Sequence, residues 1–154
     1  MSRSENTFIG EFPYTIDAKS RINIPAKFRQ ALSEDNEGTF VLTRGLDSCI
    51  WIYPLIEWEK IEADLRNLSS LSPLHRTVVR NVTRYASFTK YDKQGRIPIS
   101  PSLIEYSHLN KNILIIGMVN KIEVWDPETL EEVDNQNRTI DVQKYEDLAD
   151  KVRL

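Results

Sequence analysis

Alternation of apolar and polar residues marks the first readable elements of the chain. Tyr14-Thr15-Ile16 and Ile22-Asn23-Ile24 switch character at every step, the pattern of half-buried strands whose successive side chains point to opposite faces. Between them the linker needs polar, turn-tolerant residues, which Asp17 and Ser20 supply. The same order returns later, DKQGRIPIS (92–100) repeating DAKSRINIP (17–25). Placing Asp17 on Asp92 sets Arg21 on Arg96, Ile22 on Ile97, Ile24 on Ile99 and Phe28 on Leu103. A second copy shorter by three residues then brings FVLTRG (40–45) onto NILIIG (112–117) and CIWIY (49–53) onto KIEVW (121–125). Each copy predicts strand, turn with Asp and Arg, strand, short helix, strand, turn, strand. Such internal repeats decide a fold before any single element does.

Helical spacing fills the rest. Trp58, Ile61, Leu65 and Leu68 recur at three and four residues, which predicts an amphipathic helix with an acidic opposite face. Ser72-Pro73 starts a second helix whose Leu74, Val78, Val82 and Tyr85 should face inward, with Arg76, Arg80 and Arg84 as a cationic stripe on another face. Pro25 should open the short helix of the first copy, and Ser100-Pro101 gives that of the second an N-cap and a proline at its first position. Asp126-Pro127-Glu128 caps a further short helix, Asn135 to Thr139 reads as a loose linker, and Val142, Tyr145, Leu148 and Val152 make the tail a weak amphipathic helix. The expected fold is α+β, mainly β. Its parts are a first repeat at 8–54, a helical insert at 55–85, a second repeat at 86–127 and a helical tail at 128–154.

Composition narrows the class without naming a function. A chain of 154 residues with 40 % hydrophobic and 28 % charged residues fits a globular protein. Units of this size bury a modest share of their surface, so self-association is expected. A single cysteine, Cys49, excludes an intramolecular disulfide, and neither it nor His75 and His108 stands at a zinc spacing. No metal or other cofactor is expected. The longest apolar run, Ile113 to Val119, is too short to span a bilayer. A cytoplasmic location and no membrane partner follow as expectations.

Charge changes the picture through its distribution. The net charge of −3 argues against nucleic acid, yet residues 123–154 hold ten acidic and four basic side chains and leave residues 1–122 with a surplus of cations. Lys19, Arg21, Lys27 and Arg29 surround Asp17, while Arg76, Arg80, Arg84, Lys90, Lys93 and Arg96 stand in and before the second motif with Asp92.

The pair DAKSRINIPAKFR and DKQGRIPI, with FVLTRGLDSCIWIYP and IEVWDP closing each half, resembles the MraZ family of the AbrB-like, swapped-hairpin superfamily over roughly residues 8 to 130. Ser20 stands where that family's first motif has glycine, and Ser100-Pro101 where a proline follows its strand. The resemblance implies two AbrB-like half-units forming a double-split, swapped-hairpin barrel. It further implies a transcriptional regulator of the division and cell-wall gene cluster that binds repeated promoter sequences in double-stranded DNA and assembles into a ring-like homo-oligomer. A nucleoid-associated location goes with that reading.

Asp17 and Asp92 are then expected to organise their turns. Lys19, Arg21, Lys27, Arg29, Lys93 and Arg96 are the candidate DNA contacts, since arginine on a rigid turn can pair bidentately with phosphate or guanine. Arg21 is the expected base reader; Arg96 either shares that role or lines a subunit contact. The Arg76 stripe reads as a solvated face, as a partner of the acidic helix at 57–64, or as a further DNA contact. Trp51, Trp58 and Trp125 read as core or interface aromatics and Cys49 as a small buried hydrophobe. A catalytic reading finds no Gly-x-Ser-x-Gly elbow, phosphate-binding glycine loop or His-Glu-x-x-His, and no small-molecule substrate is expected. The competing non-enzymatic reading is an oligomeric scaffold for protein partners, with the amphipathic tail as its docking element.

Overall fold

A computed structural model describes residues 5–154. The first copy supplies β1 (Phe8–Thr15), β2 (Arg21–Asn23), α1 (Ala26–Gln30), β3 (Thr39–Arg44) and β4 (Ile50–Pro54). The second supplies β5 (Ser87–Lys90), β6 (Arg96–Pro98), α4 (Pro101–Ser107), β7 (Asn112–Val119) and β8 (Ile122–Trp125). Between them run α2 (Leu55–Arg66) and α3 (Pro73–Thr83), and after them α5 (Pro127–Gln136) and α6 (Val142–Lys151). The class is α+β around one large antiparallel sheet, ordered β1-β7-β8-β4-β3-β5, with β2 and β6 as a separate two-stranded ribbon.

The pairing is symmetric between copies. β1 pairs with β7 of the other copy, β5 with β3, and the equivalent strands β4 and β8 pair with each other, as do β2 and β6. Ile22 lies opposite Ile97, its own counterpart, and Trp51 lies opposite Glu123, again counterparts. An approximate two-fold axis therefore runs through both pairs. Long-range pairing of this kind leaves neither copy with a complete core of its own.

Period-two alternation sorts the side chains. Ile22, Ile24, Ile97 and Ile99 of the ribbon share one buried cluster with Phe8, Phe40, Leu42, Ile50, Ile52, Ile113, Ile115, Ile122 and Val124. Phe28 and Leu103, the apolar faces of α1 and α4, close it. The opposite face of the sheet carries a smaller cluster in which Trp58 of α2 covers Val41 and Tyr53. Each fully buried side chain of this size is worth about 1.5–3 kcal/mol of transfer free energy, so the shared inner cluster dominates stability.

The register corrects the expected alignment by one residue. Val41 faces Tyr53 and Leu114 faces Trp125. With Tyr53 equivalent to Trp125, FVLTR (40–44) falls on ILIIG (113–117), not on NILII. Burial agrees, since Phe40 and Leu42 are buried like Ile113 and Ile115, while Asn112 is exposed.

Two helical expectations also change, and the Arg76 stripe resolves to the solvated face, its three arginines being exposed. Leu74 and Val78 of α3 point to solvent because α2 already covers that face, while Val82 packs on the sheet side and Tyr85, just past the helix, lies against Arg44 of β3. Arg76, Arg80 and Arg84 make no ion pair with α2: Arg76 donates to the Ser70 carbonyl at 2.9 Å and Arg84 lies over the Tyr85 ring at 4.9 Å. The supposed linker at 135–139 is instead the end of α5 followed by a single 3-10 turn, Asn137–Thr139. No helix among the described residues is long and apolar enough to cross a membrane.

Candidate functional site

Each Asp-x-x-x-Arg loop is closed by its aspartate through backbone amides. Asp17 Oδ1 accepts from the N–H groups of Lys19 at 2.9 Å and Arg21 at 2.8 Å, while its own N–H donates to the Arg21 carbonyl at 3.0 Å. Asp92 Oδ1 accepts from Gln94 at 2.8 Å and Arg96 at 3.0 Å, and its N–H donates to the Arg96 carbonyl at 2.9 Å. In each loop both amide donors converge on one oxygen, Oδ1, the short-range side-chain-to-backbone closure that aspartate favours in turns. Those donors hold both carboxyls below the ordinary carboxylate range: the Arg21 N–H acts most on Asp17, and the Arg96 N–H most on Asp92, against a smaller opposing effect of burial.

The loops do not stand apart. The N–H of Ile24 donates to the Gly95 carbonyl at 2.8 Å, and the equivalent N–H of Ile99 donates to the Ser20 carbonyl at 2.9 Å. Each copy thus fastens the other's turn. Ser20 and Gly95, the equivalent turn residues, both adopt positive φ, 58° and 79°. At the second, a Cβ would also lie 2.6 Å from Arg29 Cζ and displace that guanidinium. Arg29 reaches across from α1, donating its Nε–H to the Ile24 carbonyl at 3.0 Å and approaching the Tyr91 ring at 5.8 Å. In the second copy its place is taken by Ile104.

The two arginines break the symmetry. Arg21 Nε donates to Asp17 Oδ2 at 2.8 Å, whereas Arg96 leaves its own Asp92 and donates from Nη1 to that same Oδ2 at 3.3 Å. Asp17 therefore gathers both guanidinium groups, and both remain about one-third exposed. Lys19, Lys27 and Lys93 are exposed and make no ion pair among the described residues. The two loops are thus joined through Asp17 and Arg29, with exposed Lys19 and Lys93 on the loops themselves and exposed Lys27 on α1.

Sequence reasoning put the six cations into two patches; it did not find that the patches join. Residues 17 and 96 are 79 positions apart, and the only available signal was the repeat itself, since equivalent strands meeting on a two-fold axis bring equivalent loops together. No group of three or more His, Cys, Asp or Glu capable of holding a metal occurs among the described residues.

Together, fold and site define a duplicated α+β protein that clasps two Asp-x-x-x-Arg loops into one cationic platform. The family described as "MraZ protein, putative antitoxin-like" matches residues 7–81 and 83–151. The protein from Clostridium tetani named "Transcriptional regulator MraZ" is 41 % identical over 94 % of this chain and 96 % of its own. Its namesake from Halothermothrix orenii is 47 % identical over 77 % and 80 %, and that from Shewanella frigidimarina 40 % identical over 96 % of each. The chain belongs to the MraZ family.

Proposed function

We propose that this chain is a transcriptional regulator that grips double-stranded DNA through the joined Asp-x-x-x-Arg loops. The convergence of Arg21 and Arg96 on Asp17 carries the reading. Cations fixed on clasped turns lose little conformational freedom when they meet phosphates, and a half-exposed guanidinium retains donors for a guanine edge. Lys19, Lys27 and Lys93 contact phosphates in this reading, Arg21 and Arg96 read bases, and Arg29 holds the two turns in register. Asp17 and Asp92 keep the turns closed. The names of the curated relatives support the regulatory role.

Affinity needs more than one platform. Non-specific contacts give dissociation constants of only ~10⁻⁴ to 10⁻⁶ M, whereas simultaneous binding to several repeats raises apparent affinity ~10² to 10⁴-fold where the geometry permits it. A ring-like homo-oligomer binding the promoter repeats of the division and cell-wall gene cluster would supply that gain. The two repeats at 8–54 and 86–127 would form one swapped-hairpin barrel bearing the platform, with the insert at 55–85 and tail at 128–154 left for contacts between subunits. A nucleoid-associated, cytoplasmic location goes with this function.

A gel shift on the chain's own upstream DNA with a salt titration tests it. Arg21→Ala should weaken binding at least about tenfold and Arg138→Ala, in the tail, not at all, with a steep salt dependence in the parent. Equal effects of the two variants would remove the platform from the interface. One observation favours the scaffold alternative, the solvent-facing apolar side of α6; a protein with no salt-dependent, sequence-preferring DNA binding would point there instead.

A further inference from the structure

On the helix-covered side of the sheet, β3, β4, α2, α3 and α4 surround a half-open cavity of about 510 Å³. Its walls are aromatic, with Trp51, Tyr53, Trp58, Tyr85 and Tyr106 contributing, and its one cationic lining residue is Arg44. The Arg44 guanidinium carbon lies 3.4 Å from the Tyr85 ring centre and 4.5 Å from that of Tyr106. Two aromatic rings therefore position it while occupying none of its five N–H donors.

Those donors have no acceptor among the described residues. Arg44 Nε is sealed from solvent without a hydrogen-bond partner, and no carboxylate pairs with the guanidinium among the described residues. A buried donor left unmade is costly. Two nearby hydroxyls are already engaged: Tyr106 donates to the Gly45 carbonyl at 2.7 Å, and Thr43 donates to the Val82 carbonyl at 3.3 Å. Nor does the strand require arginine there, since the register makes Gly117 the equivalent residue in the second copy.

We propose that this cavity binds a small carboxylate carried on an apolar body, with Arg44 as its oxyanion receptor. With Nε closed off, the two Nη groups of the guanidinium present the donors to a carboxylate, and the aromatic walls accept the hydrocarbon part. Arg44 supplies one positive charge, which a singly charged carboxylate matches, while Lys121 Nζ lies 4.7 Å from the Trp51 ring centre without lining the cavity itself.

Tryptophan fluorescence reads occupancy, because Trp51 and Trp58 line the cavity. Cyclohexanecarboxylate should change it saturably, with a dissociation constant on the order of 1 mM for so small a probe. Cyclohexanecarboxamide, equal in shape and uncharged, should bind at least about tenfold more weakly. Arg44→Gln should abolish the preference between the two, and Arg44→Lys should retain part of it. The comparison of the two probes on the unaltered protein decides the matter even if the variants unfold. Native mass at saturation distinguishes the sources of such a group: an unchanged assembly means a free small acid, and a smaller one means that the probe displaced an acidic side chain of a second copy. Equal binding of acid and amide, no saturation by about 20 mM, or undiminished acid binding to folded Arg44→Gln would overturn the proposal.

Discussion

Trp51 stands directly opposite Glu123 in the β4–β8 ladder and donates its indole N–H to Glu123 Oε2 at 2.8 Å. Glu123 Oε1 accepts from Trp125 Nε1, also at 2.8 Å, and the Cys49 thiol approaches Oε2 at 3.7 Å. Glu123 is only 7 % exposed and has no cationic partner among the described residues; two indoles and a thiol take that place. At the axis relating the copies, one copy contributes the acceptor and the other a donor, so departure from exact repetition creates the bond.

Glu123→Ala should therefore destabilise strongly. It strands the Trp125 donor, which at 2 % exposure has no access to water, at about 1–3 kcal/mol, with a further loss at the better hydrated Trp51. Trp51→Phe removes one donor and keeps most of the ring, costing about 0.5–1.5 kcal/mol. In a denaturant double-mutant cycle the two effects should fall short of additivity, since the second change finds the bond already absent. Full additivity would mean that the bond contributes nothing.

Cys49 should resist thiol reagents. Burial, with the Glu123 carboxylate beside it, pushes its thiol far above the ordinary range, and only the thiolate reacts. An aromatic disulfide reagent should modify native protein no faster than it unfolds and modify unfolded protein promptly. Rapid native labelling would contradict the burial.

Gly95→Ala and Ser20→Ala, equivalent changes in the two loops, should differ. Both residues sit at positive φ, where an L side chain costs about 1–2 kcal/mol, but Ser20 already bears that cost and Gly95 does not. At Gly95 the added Cβ also meets Arg29. Thermal unfolding should show Gly95→Ala destabilised by more than about 1 kcal/mol and Ser20→Ala nearly unchanged.

Acid should loosen the platform. Asp17 and Asp92 have folded-state pKa values below the ordinary 3.8, so their stabilisation is fully present above about pH 4 and is lost as pH falls through the lower folded values. The melting temperature should be flat near neutrality and decline below about pH 4. Asp17→Ala should lower it at neutral pH and flatten the acid decline. An unchanged acid limb would show that these turns do not contribute.

Much of this was readable because strands with one buried face print their alternation on the sequence. Ile22-Asn23-Ile24 and its counterpart did so, and the repeat supplied the succession of elements within each copy, though not their order in the sheet. The one-residue slip between β3 and β7 arose where that print fails, as NILIIG is apolar almost throughout and fixes no face. Spacing of three and four made α3 a helix but could not say that α2 had already taken the surface Leu74 and Val78 would need. The shared Asp17, and Asn36 capping the Ile56 N–H of α2 at 2.9 Å, join residues distant in the chain and leave no local pattern.

α6 should be the least stable element of the isolated subunit. Its ends are in order, with Asp141 accepting from the N–H groups of Gln143 at 2.8 Å and Lys144 at 3.4 Å. Yet none of its residues is buried, and Val142, Tyr145, Leu148 and Val152 face solvent. Ten residues fall short of the ~12–15 at which even alanine-rich helices become stable alone in water, and one cap adds only about 1 kcal/mol. Amide hydrogens from Tyr145 to Lys151 in the dilute subunit should exchange with about tenfold protection or less, while those of β4 and β8 exchange only through global opening. Removing residues 138–154 should leave the melting temperature within about 2 °C. If those amides are strongly protected in the assembled protein alone, the apolar side of α6 is covered by a neighbouring subunit; strong protection in the dilute subunit would mean that the helix packs on its own chain.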